Sequence, residues 1–240
     1  MVIGERLQKI VEILIARYEV DGKKAELTNL SDPFQLGAWY ILGQHAKHNN
    51  QARAYDLLRR AKGVTPGQLL SITEEKLTRI AKLAGPYEDD CAKELYAFAD
   101  RIEEKCGQDF SKMFESQTGA SKFLKTELNK TQSFVDFMLL YGGRFQVFPL
   151  DNRIARVVTR LGFGKMQSAE ELTEKSYRDL QKILEAESIK NADWLIRAHS
   201  VLRRHGADIC RAACPACDQC PLINECLYVK KHPPAPKLEK

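Results

Sequence analysis

The chain has 240 residues, 44% of them hydrophobic, and a formal net charge of +5. A mean hydropathy of −0.39 and the lack of any apolar run near the ~20 residues of a bilayer span exclude a helical membrane protein. Seven cysteines, an odd number, with no signal-peptide pattern ahead of them, argue against a disulfide framework and for a reducing compartment, cytoplasm or nucleus. The length suffices for one sizeable core or two small ones, and the modest positive charge permits a polyanionic partner without demanding one.

In chain order, Leu7, Ile10, Val11, Leu14 and Tyr18 recur at helical spacing and predict an amphipathic first helix. Asp32-Pro33 reads as a cap followed by an N1 proline, opening an apolar helix over 34–43 that belongs in a core. A third helix is expected over 51–62, stopped by Gly63. Thr65-Pro66 and Thr73-Glu74-Glu75 start two more, the second ending at Gly85. Ala92, Leu95, Tyr96, Ala99 and Ile102 mark another, ending at Gly107. Over 108–130 the pattern weakens into short helical pieces. Thr131 then opens a strongly apolar helix through Tyr141, broken by Gly142-Gly143. Asp151 begins the next, with Ile154, Val157, Val158 and Leu161 facing inward. Ser168-Ala169-Glu170-Glu171 is a capping box, and a long helix over 191–205 delivers the chain into a cysteine-rich loop. The tail from Lys230 is basic and proline-rich, with the composition of a disordered segment. No β-rich stretch interrupts the series, so the fold class is all-α.

The densest ligand chemistry lies in that loop. Cys210, Cys217, Cys220 and Cys226 are spaced C-x6-C-x2-C-x5-C, with Cys214 inside. Four thiolates this close in sequence can enclose a tetrahedral zinc or an iron–sulfur cluster. Zinc ribbons use two separated C-x2-C pairs, and only one pair occurs here, which favours the cluster. Cys91 and Cys106 read as buried structural thiols.

Three stretches together resemble the endonuclease III family of DNA base-excision glycosylases, over nearly the whole chain. His205-Gly206 followed by the four cysteines is similar to that family's [4Fe–4S] loop and leaves Cys214 out of the ligand set. Ser31-Asp32-Pro33-Phe34-Gln35-Leu36, leading to Leu42-Gly43-Gln44, resembles its core helix, whose terminal glutamine fills the space left by an extruded base. Phe148-Pro149-Leu150-Asp151-Asn152-Arg153 resembles the segment with its catalytic aspartate. The resemblance implies a six-helix barrel domain over 27–145 with a degenerate helix–hairpin–helix. It also implies a helical iron–sulfur domain over 1–26 and 146–229, with 230–240 as tail. The implied partner is double-stranded DNA with a damaged or mismatched base, bound by a monomer in the cytoplasm, or in the nucleus of a eukaryote. The base must be flipped out of the helix before chemistry can reach it.

Two departures qualify the expected chemistry. The family's Leu-Pro-Gly-x-Gly hairpin turn is replaced by Glu127-Leu128-Asn129-Lys130-Thr131-Gln132-Ser133. Asn129 can take the left-handed conformation that glycine otherwise supplies. Ser133 stands where bifunctional relatives carry a lysine nucleophile, and a hydroxyl cannot form their Schiff base. The expectation is therefore a monofunctional enzyme in which Asp151 and water break the N-glycosidic bond, Lys130 being an outside candidate for the missing amine. A carboxylate suits an oxocarbenium-like transition state, and Asp151 also reads as an ordinary N-cap, a compatible role. Relatives that excise adenine have a glutamate where Tyr40 stands here, which argues against that substrate. Tyr40 and Gln44 are the expected lesion pocket. Gln44, His45, Asn129, Lys130, Thr131, Arg153 and Arg211 are the expected DNA contacts, with Arg144 and Arg156 as further candidates. A non-catalytic DNA-binding relative and an electron carrier are the rival readings.

Overall fold

A computed structural model of the protein describes residues 5–19, 30–44, 46, 48–107, 109–166 and 172–232. Among the described residues every regular element is a helix, and none is long and apolar enough to cross a membrane. The chain divides into two compact units, Leu27–Phe145 and Met1–Glu26 with Gln146–Lys240.

The central unit holds α2 (Pro33–Gly43), α3 (His48–Arg60), α4 (Pro66–Leu70), α5 (Glu74–Ala84), α6 (Glu88–Cys106), a 3-10 turn (Phe110–Phe114), α7 (Gln117–Thr126) and α8 (Gln132–Tyr141). Asp32 caps α2 as expected, its carboxylate accepting from the Gln35 amide at 2.9 Å, with Pro33 in the first turn. α2 is buried on nearly every side and packs on α3, α5, α6 and α8. Gly37 makes this possible: a Cβ there would come within 2.3 Å of the Phe98 ring on α6. Phe98 in turn stacks on Phe34 and meets Phe110 and Phe134 edge-on. Thr73 sits before α5 as predicted, but its side chain makes no capping bond.

The other unit holds α1 (Glu5–Tyr18), α9 (Asn152–Leu161), α10 (Glu174–Glu187), α11 (Ala192–Asp208), two 3-10 turns (Cys217–Gln219 and Ile223–Glu225) and α12 (Leu227–Lys231). The inward faces of α1 and α9 are the ones the periodicity picked out. α10 starts at a Thr173 cap, its hydroxyl accepting from the Ser176 amide at 3.3 Å. The capping box at 168–171 lies outside the described residues, as does the tail beyond residue 232. Lys230 and Lys231, assigned to the tail, instead close α12. α11 packs along α9 and α1, and Gly206 sets how closely. A Cβ there would stand 2.9 Å from both the Cβ and the carbonyl oxygen of Arg153, so the His205-Gly206 step is a packing requirement.

Candidate functional site

Each unit gathers part of the predicted set. In the central unit, Tyr40 and Gln44 lie one turn apart on α2, so they share a face. Lys130 and Ser133 flank the start of α8. The Tyr40 hydroxyl donates to Ser133 Oγ at 2.8 Å, and the Tyr40 ring packs on Phe134 and Phe137. Lys130 Nζ stands 2.7 Å from Glu94 Oε1, lies over the Phe98 and Phe134 rings, and its side chain is only 11% exposed. That ammonium is directed onto a carboxylate and two ring faces rather than outward. Glu94, on α6, also accepts from Gln44 Nε2 at 3.2 and 3.1 Å. No local pattern in the sequence flagged Glu94, because its partners lie 36 and 50 residues away.

The hairpin turn closes without glycine. Asn129 takes φ +48°, the left-handed region that a short polar side chain tolerates. The Lys130 amide donates to the Leu124 carbonyl at 3.0 Å, and the Thr131 hydroxyl caps α8 by accepting from the Phe134 amide at 3.4 Å. His45 lies outside the described residues. Arg144, which also has positive φ, follows the end of α8.

In the other unit, Asp151 is the N-cap of α9. Its Oδ1 accepts from the Ile154 amide at 2.8 Å, and its Oδ2 pairs with Arg203 Nε of α11 at 3.2 Å. A quarter of its side-chain surface stays exposed. Burial pushes this carboxyl up, but Arg203, Arg153 and the Ile154 amide outweigh it, holding Asp151 below the ordinary carboxylate range. His199 is itself driven down to about 3 by burial, so it is neutral there. Arg203 is a residue that the sequence did not single out, since its distance of 52 residues from Asp151 carries no periodic signal. Arg153 is half-buried beside this pair, and burial and Arg203 both lower its proton affinity.

Arg156 is bound inside the fold rather than offered to a partner. Its Nε reaches the Cys210 carbonyl and its Nη2 the Gly206 carbonyl, each at 2.8 Å. Arg211 is exposed and donates to the Cys214 carbonyl at 2.9 Å.

Cys210, Cys217, Cys220 and Cys226 line one cavity with Val157, Leu161, Ile209 and Leu222. Cys214 is exposed and is not in that lining. Arg160 Nη1 lies 3.3 Å from Cys210 Sγ and stacks on Tyr228. His205 spans from the Tyr18 hydroxyl at 3.1 Å to Cys220 Sγ at 3.6 Å. Four thiol donors on one largely apolar cavity, with a cation and an imidazole behind them, can hold a thiolate-ligated centre. A zinc ion with bonds of about 2.3 Å would draw its sulfurs to within about 4 Å of one another. Among the described residues no three such donors stand close enough to share one ion. Lys9 pairs with Glu225 at 2.7 Å, and Arg6 reaches the carbonyls of Leu161 and Glu225, so α1 is tied to the cysteine loop. Cys91 and Cys106, expected to be buried, are only half-buried.

No family model matches the chain. An endonuclease III of Sulfolobus acidocaldarius is 31% identical over 93 residues, 39% of this chain; the match spans only 38% of that protein's length. One from Rickettsia conorii is 27% identical over 170 residues, 68% of this chain and 70% of the relative. The structure of a trapped endonuclease III–DNA covalent intermediate superposes with a TM-score of 0.71 at 17% identity, covering 97% of this chain and 99% of that one. The chain resembles endonuclease III in sequence and has its all-α fold. Within that fold, Asp151 is an N-cap on α9, the cysteine loop follows α11, and Ser133 lies in the first turn of α8.

Proposed function

We propose that this protein is a DNA base-excision glycosylase that flips a damaged or mismatched base from duplex DNA and hydrolyses its N-glycosidic bond without cutting the strand. The observation that carries this reading is the setting of Asp151: an ionised, partly exposed carboxylate fixed at both oxygens by the Ile154 amide and Arg203. Breaking the glycosidic bond builds positive charge on the sugar. A carboxylate that needs no reorganisation stabilises that charge as it forms and orients the attacking water. Its low proton affinity makes it a better electrostatic partner for the sugar than a base for the water.

Two observations support hydrolysis over covalent catalysis. Ser133, at the position of the family's lysine, offers a hydroxyl that already accepts from Tyr40. Lys130, the outside candidate, has its nitrogen 2.7 Å from Glu94 Oε1 and set over two aromatic rings rather than turned outward. The residues that would hold a [4Fe–4S] cluster are Cys210, Cys217, Cys220 and Cys226. When bound, such a cluster braces the loop, and its four thiolate-capped irons leave no open position for water. The replaced hairpin turn and missing lysine also favour a second reading, a relative that binds DNA lesions without excising them.

The test is a panel of duplexes carrying oxidised, deaminated, alkylated and mismatched bases. Expected is release of a free base, a strand that breaks only on alkali treatment, and no adduct on borohydride reduction. A trapped adduct would overturn the monofunctional reading. Lesion-selective binding with no base released across the panel would favour the binding module.

A further inference from the structure

The Glu94 cluster has a consequence for which base is tolerated opposite the lesion. Glu94 Oε1 and Oε2 lie 3.2 and 3.1 Å from Gln44 Nε2, and Oε1 also takes the Lys130 ammonium at 2.7 Å. A carboxylate only accepts hydrogen bonds. The end of the Gln44 amide facing Glu94 must therefore be its NH2 group, which removes the usual ambiguity between amide nitrogen and oxygen. Gln44 is exposed at the C-terminal end of α2, and among the described residues no donor is paired with its Oε1. The geometry thus turns an acceptor, the Gln44 carbonyl oxygen, toward the surface.

Lys130 stabilises this arrangement from the other side. It is 11% exposed, lies over Phe98 and Phe134, and its backbone amide is tied to Leu124. The charge that holds Glu94 is therefore fixed to the hairpin turn and not to a mobile surface side chain. Glutamine amide, glutamate and lysine form one chain, anchored in the core at the lysine end.

We infer that Glu94 is a positioning residue that presents Gln44 through its carbonyl oxygen, and so selects an opposite base rich in Watson–Crick donors, guanine above all. Guanine offers N1–H and N2–H side by side on that edge, whereas thymine offers one N–H between two acceptors. The inference rests on the glycosylase reading, in which Gln44 enters the space beside the orphaned base. Good base contacts discriminate by about 1–3 kcal/mol, or roughly 5- to 150-fold.

The experiment measures binding, not excision. Equilibrium affinities are taken for duplexes with a tetrahydrofuran abasic analogue opposite each of the four bases, for the wild type, Glu94→Gln and Gln44→Ala. The wild type is expected to bind the analogue opposite guanine at least about fivefold tighter than opposite thymine. Glu94→Gln can turn the Gln44 amide round, so that ratio should fall toward one. Gln44→Ala should lose the ratio as well. An NMR spectrum of side-chain amides reads the latch without DNA: the Gln44 NH2 protons should be protected from exchange in the wild type and unprotected in Glu94→Gln. Unprotected wild-type protons, or an opposite-base ratio of one with the wild type, or a ratio unchanged in Glu94→Gln, would overturn the proposal. If no abasic duplex binds at all, the glycosylase reading falls and takes the proposal with it. If duplexes bind without discrimination, only the proposal falls.

Discussion

Asp151 does two jobs with one side chain: it starts α9 and carries a negative charge at a partly exposed position. The charge survives burial because Arg203 stands against it. Arg203→Leu should let burial dominate, raise the carboxyl's proton affinity, and move the acid limb of the base-release profile to higher pH. The same change should cost about 1–3 kcal/mol of stability, the penalty for a charged group left without its partner. Arg203→Lys should recover part of both, and urea melts with a pH–rate profile check the pair. His199 sets a second pH effect. Its folded pKa of about 3 lies below the ordinary histidine value, so the unfolded chain binds more protons between those limits. Its contribution to stability is therefore fully present above about pH 6.5 and is lost as the pH falls from there toward 3. The urea midpoint should decline over that window, and a midpoint flat from pH 7 to pH 4 would contradict a buried neutral His199.

At the scale of elements, the helix–hairpin–helix turn stands on Asn129, whose φ of +48° replaces a glycine. Asn129→Gly should be neutral or stabilise slightly, whereas Asn129→Val should cost about 1–2 kcal/mol, because a β-branched side chain fits this region poorly. Thermal melts of the two variants decide it. Caps of this kind were legible in the sequence wherever the capping group and its amide are three residues apart. Asp32, Thr65, Thr131, Asp151 and Asn191 all cap as their context suggests. Thr73 shows the limit of the rule, since its placement is right but its hydroxyl is not used. α10 was marked only by a start signal several residues ahead of Thr173. The pairings that shape the candidate site were not legible: Glu94 with Lys130 and Asp151 with Arg203 join residues 36 and 52 apart, and only the packing of whole helices brings them together. Arg156 shows the converse, an arginine whose sequence context offered it to DNA and whose guanidinium the fold spends on two carbonyls.

At the scale of the molecule, the cysteine loop draws on both ends of the described chain. Lys9 and Arg6 on α1 reach Glu225 and Leu161, and Tyr18 meets His205 behind Cys220. A metal centre there would stabilise folding directly. Cys217→Ala should lose iron and sulfide after anaerobic reconstitution and melt at lower temperature. Cys214→Ala should keep both, because Cys214 is exposed and outside the cavity. Equal iron in the two variants would contradict the assignment of the four ligands. The most direct trial of the whole account is single-turnover base release by the wild type and by Asp151→Asn on the best substrate of the duplex panel, with affinity for the same duplex measured in parallel. The account predicts that Asp151→Asn still binds but releases base at least about a hundredfold more slowly, the scale expected of a group aimed at developing charge. An Asp151→Asn variant that excises at the wild-type rate would contradict it.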